Sequence, residues 1–114
     1  MPYLKLETNV AVADETVDKL LMELSAAVAE VTGKPESVVQ VDVEGGRRMC
    51  MAGTEEPTAF VTVKGIGYAE EKARPMSEKV CGIVTARTGI AGKRIYLAFD
   101  AYKGAMWGVD GRTF

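Results

Sequence analysis

Leu4 and Leu6 alternate with Tyr3, Lys5 and Glu7, the period of two expected of a half-buried strand. Val17, Leu20, Leu21, Leu24, Val28 and Val31 then recur at helical spacing behind an expected cap at Asp14, and Thr32-Gly33-Lys34-Pro35 supplies the stop. Val39, Val41 and Val43 restore the alternation up to a turn at Gly45-Gly46. The same order follows once more. A strand over Thr58 to Val63 precedes a helix carrying Met76, Val80, Ile83 and Val84, a stop at Thr88-Gly89, and a strand with Ile95, Leu97 and Phe99. Pro75 belongs in the first turn of that second helix or at an irregular start, because an interior proline costs about 3 kcal/mol.

Two βαβ units of similar length predict an α+β fold. Each helix has one apolar stripe to bury, so a four-stranded sheet with both helices on one face is expected. If Ile95, Leu97 and Phe99 face the helices, Phe60, Tyr96 and Ala98 point to the uncovered side, where a neighbouring subunit is the layer expected. The length of 114 residues fits a single domain, 1–114.

Composition narrows the chemistry more than the fold. With 47% hydrophobic and 26% charged residues the chain has a globular balance. Lys and Arg total 14 against 16 Asp and Glu, a formal charge of −2 without a basic tract, so no nucleic-acid partner is expected. Arg47-Arg48 and Lys93-Arg94 read as solvated loop or strand-end pairs. No apolar run approaches the ~20 residues of a membrane span, and the start MPYLKLE has no leader pattern, so no membrane partner and a cytoplasmic location are expected. The absence of histidine removes Ser-His and Cys-His catalysis and the commonest transition-metal ligand, and no metal site is expected. Cys50 and Cys81 show no C-x-x-C spacing and read as buried thiols.

Gly65-Ile66-Gly67 lacks the third glycine of a dinucleotide fingerprint and Gly33-Lys34 the earlier glycine of a phosphate loop, so each reads as a strand end or turn. Pro2 has a chemical reading only if Met1 is removed: a terminal proline is a secondary amine with a free lone pair, whereas an internal proline nitrogen is an amide. The other reading is a strand start that tolerates a residue without an N–H. A terminal amine becomes a base near neutral pH when apolar burial or a nearby cation such as Lys34 lowers its pKa. Lys34 could also bind an anionic substrate, or simply complement the dipole of the helix it follows.

The Met-Pro start, T-N-V after the first strand, V-T-G-K-P after the helix, G-T-E-E-P-T, G-I-G, V-C-G-I, K-R-I-Y-L-A-F-D and the ending W-G-V-D-G-R-T-F occur in order along the whole chain. Together they resemble the macrophage migration inhibitory factor (MIF) family of the tautomerase superfamily. The resemblance implies a homotrimer with sheets around a central channel and sites between subunits. It also implies keto-enol tautomerisation of small aromatic 2-oxo acids such as phenylpyruvate, and dopachrome isomerisation, without a cofactor. By that resemblance Pro2 is the catalytic base, Lys34 pairs with the substrate carboxylate, Ile66 offers backbone contact, and Tyr96 arrives from the adjacent subunit.

Some positions depart from the family pattern. Ala98 stands where many relatives have a substrate-contacting asparagine, which deletes an amide donor from the substrate-binding wall. Trp107 and Val109 are expected to reshape the rim near the C-terminus, with core or interface filler as the other reading of Trp107. Thr58-Ala59-Phe60-Val61 replaces the C-x-x-C of animal members, so no dithiol chemistry is expected. The resemblance also carries a second reading: a cytokine-like protein, secreted without a signal peptide, that acts on a protein receptor with weak or vestigial catalysis. A dehalogenase or decarboxylase would need further arginine or acidic groups, and no such set is evident.

Overall fold

A computed structural model describes residues 1–67 and 69–114. The strand expected at the start is β1, Tyr3–Thr8, with Leu4, Leu6 and Thr8 buried and the residues between them only partly so. The first apolar stripe forms α1, Asp14–Thr32, and buries Leu20, Leu24, Ala27 and Val28. Ala13, not Asp14, is the residue before the helix, and its side chain makes no capping bond. Asp14 and Glu15 instead begin the first turn, where a carboxylate complements the helix dipole without accepting a capping hydrogen bond. At the other end Gly33 adopts φ 72° and its N–H donates to the Ala29 carbonyl at 2.9 Å, the left-handed stop glycine permits.

The chain continues through β2 (Gln40–Glu44), β3 (Ala59–Ile66), α2 (Ala73–Thr88) and β4 (Ile95–Tyr102). Among the described residues the main sheet has four strands in the order β2-β1-β3-β4. Each βαβ unit contributes a parallel pair, β1 with β2 and β3 with β4, and the units meet through the antiparallel pair β1 and β3. Leu4, Leu6, Val61 and Val63 from the central strands share one buried core with Leu20, Leu24 and Val28 of α1 and Met76, Val80 and Val84 of α2. Both helices therefore lie on one face, as the stripes require. Pro75 is the third residue of α2, inside the first turn, where its missing N–H has no intrahelical partner to lose.

The third strand starts later and runs further than the alternation implied. Thr58 falls outside β3 because its N–H donates to Asn9 Oδ1 at 2.9 Å and its carbonyl accepts Thr8 Oγ1 at 2.7 Å. At the far end, pairing with β4 extends through Ile66 and Tyr102. Beyond β4, Asp110 at φ 52° and Gly111 at φ 75° turn a small antiparallel hairpin, β5 (Gly108–Val109) against β6 (Arg112–Thr113). Positive φ at both central positions is the geometry for which an Asp-Gly pair is favoured.

Two expectations about side chains are corrected. Cys50 is exposed and Cys81 only partly buried, so the pair are not buried thiols. Cys50 lies past the end of β2, where the alternation stops and no packed face holds it. Arg94 is no solvated strand-end cation: Nε donates to the Pro57 carbonyl at 2.8 Å, one terminal nitrogen to Glu56 at 3.0 Å and the other to Met51 at 3.2 Å. Its guanidinium thus closes the 51–57 loop over the start of β4.

Candidate functional site

β1 enters the sheet between β2 and β3, and that central position carries Pro2 to the sheet's end. The Pro2 carbonyl accepts Gln40 N–H at 3.1 Å, and Tyr3 pairs with Gln40 on one side and Lys64 on the other. Pro2 is buried there. A ring without an N–H fits this strand start, and the first amine of the chain is brought to the edge of a hollow.

That hollow has a volume of about 210 Å³ and is lined by Pro2, Thr32, Lys34, Ile66, Gly67 and Lys72, among others. Two turns place its polar groups. At the end of α1, Thr32 Oγ1 donates to the Val28 carbonyl at 2.6 Å and accepts Lys34 N–H at 3.3 Å. With Gly33 left-handed, this folds Lys34 back toward the sheet end. At the end of β3, Gly67 at φ 59° donates its N–H to the Tyr102 carbonyl at 3.1 Å and leaves Ile66 at the wall.

The first amine of the chain, carried by Met1, is held below its ordinary pKa of 8.0 by burial first and by the Lys34 charge second. Both causes belong to the place and not to methionine, so they act on whichever amine stands there. A secondary amine at Pro2 would lie deeper in the same surroundings, since Pro2 is buried and Met1 only partly so.

Pro2, Lys34 and Ile66 thus share one hollow within a single chain. Tyr96 and Ala98 do not join them. Tyr96 pairs with Phe60, whereas Tyr3 pairs with Lys64, and four residues along β3 at about 3.3 Å each separate those levels by about 13 Å. Both lie on the face away from the helices, where Tyr96 is 59% and Phe60 37% exposed.

Trp107 was expected at a reshaped rim or as core or interface filler. It stacks edge-on against Tyr102, ring centroids 5.6 Å apart at 63°, and joins Val39, Gln40 and Val109 around a second hollow that also reaches Pro2. Pro2 therefore borders both the lysine-bearing hollow and a tryptophan-bearing one. Lys72 escaped the sequence reading because nothing in E-E-K signals a pocket; only the turn Glu70–Lys72 before α2 places it there. Among the described residues no helix is long and apolar enough to cross a membrane.

The MIF family, described as macrophage migration inhibitory factor, matches residues 1–114. The MIF homolog of Trichuris trichiura is 36% identical over all of both chains. The D-dopachrome decarboxylase of Gallus gallus is 33% identical over 87% of this chain and 85% of its own. Among solved structures, the MIF homologue of Prochlorococcus marinus superposes with a TM-score of 0.93 at 35% identity, covering 98% of each chain.

Proposed function

Because the chain belongs to the macrophage migration inhibitory factor family, we propose that it is a cofactor-independent keto-enol tautomerase of small aromatic 2-oxo acids, of the phenylpyruvate or dopachrome type, with Pro2 as its base. The observation that carries this reading is the head of β1, where burial and the Lys34 charge lower the basicity of the Met1 amine and Pro2 lies buried at the same hollow. Removal of Met1 turns the Pro2 nitrogen from an amide into a secondary amine at that position. Burial and the nearby Lys34 charge disfavour the protonated form of an amine at this place, so that it can take a proton.

The substrate carboxylate pairs with Lys34, which fixes the 2-oxo acid with its reacting carbon toward Pro2. Pro2 removes the proton from the carbon next to the carbonyl, negative charge develops on the carbonyl oxygen, and the Lys34 cation together with polar groups at the wall offsets it. Proton return to that oxygen completes the enol and restores the amine. Ile66 contributes backbone contact at the wall.

A hollow of about 210 Å³ is small against the about 300–1,000 Å³ of typical ligand sites, so a further wall is needed. A homotrimer supplies it: a neighbouring subunit brings Tyr96, which its own chain holds about four residue levels from Tyr3. Ala98 would arrive on the same strand and offers no donor, leaving that wall more apolar.

Phenylpyruvate tautomerisation by protein freed of Met1, beside a Pro2→Gly variant, tests the assignment. General-base catalysis contributes about 10²- to 10⁴-fold, and a loss of that order is expected in the variant. Unchanged turnover would remove Pro2 from the mechanism. The relatives' name and Ala98 favour a second reading, a receptor-binding protein with vestigial catalysis; an inactive parent with Met1 absent would support it.

A further inference from the structure

Both helices end on a threonine followed by a left-handed glycine, and what comes next differs. At the end of α2 the Thr88 hydroxyl donates to the Val84 carbonyl at 2.7 Å and accepts the Ile90 N–H at 3.2 Å, with Gly89 at φ 76°. At the end of α1 Thr32 makes the same pair of bonds, to Val28 and from Lys34, around Gly33. The hydroxyl before the glycine thus holds the backbone of the residue after it and sets the direction in which the chain leaves the helix. In the second unit that residue is Ile90, fully buried in the core. In the first it is Lys34, at the wall of the Pro2 hollow.

Ile90 has two further holds. Core packing surrounds its side chain, and its carbonyl accepts the Thr85 hydroxyl at 2.8 Å. Lys34 is exposed, and the position three residues before Thr32 is Ala29, which has no hydroxyl to give where Thr85 stands in α2. The turn at Lys34 therefore depends on the Thr32 hydroxyl more than the turn at Ile90 depends on Thr88. Thr32 itself borders the hollow, but its one hydroxyl proton is given to Val28, so it has no donor left for an anion.

We propose that Thr32 is a positioning residue of the pocket: its hydroxyl fixes the Lys34 backbone, and through it the place at which the Lys34 ammonium meets a substrate carboxylate. This rests on the tautomerase reading for the identity of the substrate, whereas the positioning is read from binding alone. An ammonium on a flexible four-carbon stem is a poor anchor unless its root is fixed, because the freedom it gives up on binding subtracts from the affinity. Thr32 acts through Lys34 and takes no part in proton transfer.

Calorimetric titration of Met1-free protein with cinnamate, an unreactive carboxylate, separates this from catalysis. Thr32→Val keeps the branched shape and removes the hydroxyl. Affinity is expected to fall about threefold to fivefold at low salt, the range an exposed ion pair supports, and the remaining binding should respond less to added salt. Thr32→Ser returns the hydroxyl and should recover most of the loss. Thr88→Val removes the same two bonds from the other helix end, and should lower the urea midpoint without changing the cinnamate affinity. A parent that binds no cinnamate, an affinity unmoved by Thr32→Val, a loss that Thr32→Ser does not recover, or an equal loss from Thr88→Val would each overturn the proposal. A weakened Thr32→Val with the parent's salt dependence would do so too, since it would put the hydroxyl itself on the ligand. Turnover of phenylpyruvate is a separate readout: its absence would count against Pro2 chemistry while the cinnamate affinities still decide the role of Thr32.

Discussion

At the first amine, burial and the Lys34 cation act in the same direction, both lowering the pKa, and burial is the larger. The consequence for pH follows from which form works. A base acts unprotonated, so kcat/KM should fall as pH drops through the amine pKa, and a depressed pKa keeps activity to lower pH than an ordinary amine would. Substituting Lys34→Met removes one of the two causes. The acid limb of the kcat/KM profile for phenylpyruvate should then move to higher pH, while KM rises through loss of the carboxylate partner. A limb that stays in place would mean that burial alone sets the basicity. That Lys34 follows a helix stop was legible from T-G-K-P; that it faces Pro2 was not, because the left-handed Gly33 and the Thr32 hydroxyl decide where it turns.

Between elements, single polar side chains hold the connections. Arg94 reaches three carbonyls of the 51–57 loop, and Asn9 binds the same loop through Nδ2 to Glu55 and Glu56 and through Oδ1 from Thr58. Arg94→Met should cost about 2 kcal/mol in urea unfolding, since hydrogen bonds from a charged donor are lost and the carbonyls lose their partners. A loss below a few tenths would show that water replaces the guanidinium freely. The helices are joined by Lys79 to Glu30 at 2.6 Å and by Arg87 to Glu23, whose carboxyl is held below its usual pKa chiefly by that hydrogen bond. Periodicity revealed β1, α1, β2, α2 and the start of β4 because alternating or helically spaced apolar residues are local signals. It placed the start of β3 one residue early, since Asn9, 49 positions away, takes the Thr58 N–H. The expectation of a solvated Arg94 failed for the same reason: its partners lie far along the chain. The Asp110-Gly111 hairpin signal, by contrast, was present in the sequence and went unread.

Across the whole molecule the helices cover one sheet face and leave Phe60 and Tyr96 on the other. The alternation in β3 and β4 foretold that face, and the same geometry keeps Tyr96 from Pro2 within one chain. If a homotrimer closes the site, sedimentation equilibrium should give a mass near three times the 12.3 kDa chain, and Phe60→Arg should shift it toward one chain by placing an unpaired charge in the interface. A parent at one chain mass would leave the site open on that side. The nitrogen of Pro2 can be tested as the base without changing any side chain of the folded sheet. Phenylpyruvate tautomerisation can be compared between two preparations of the same chain, one retaining Met1 and one lacking it, each verified by mass spectrometry. We expect activity in the Met1-free protein and a loss of about 10²-fold or more where Met1 holds Pro2 as an amide; equal rates in the two preparations would contradict the account.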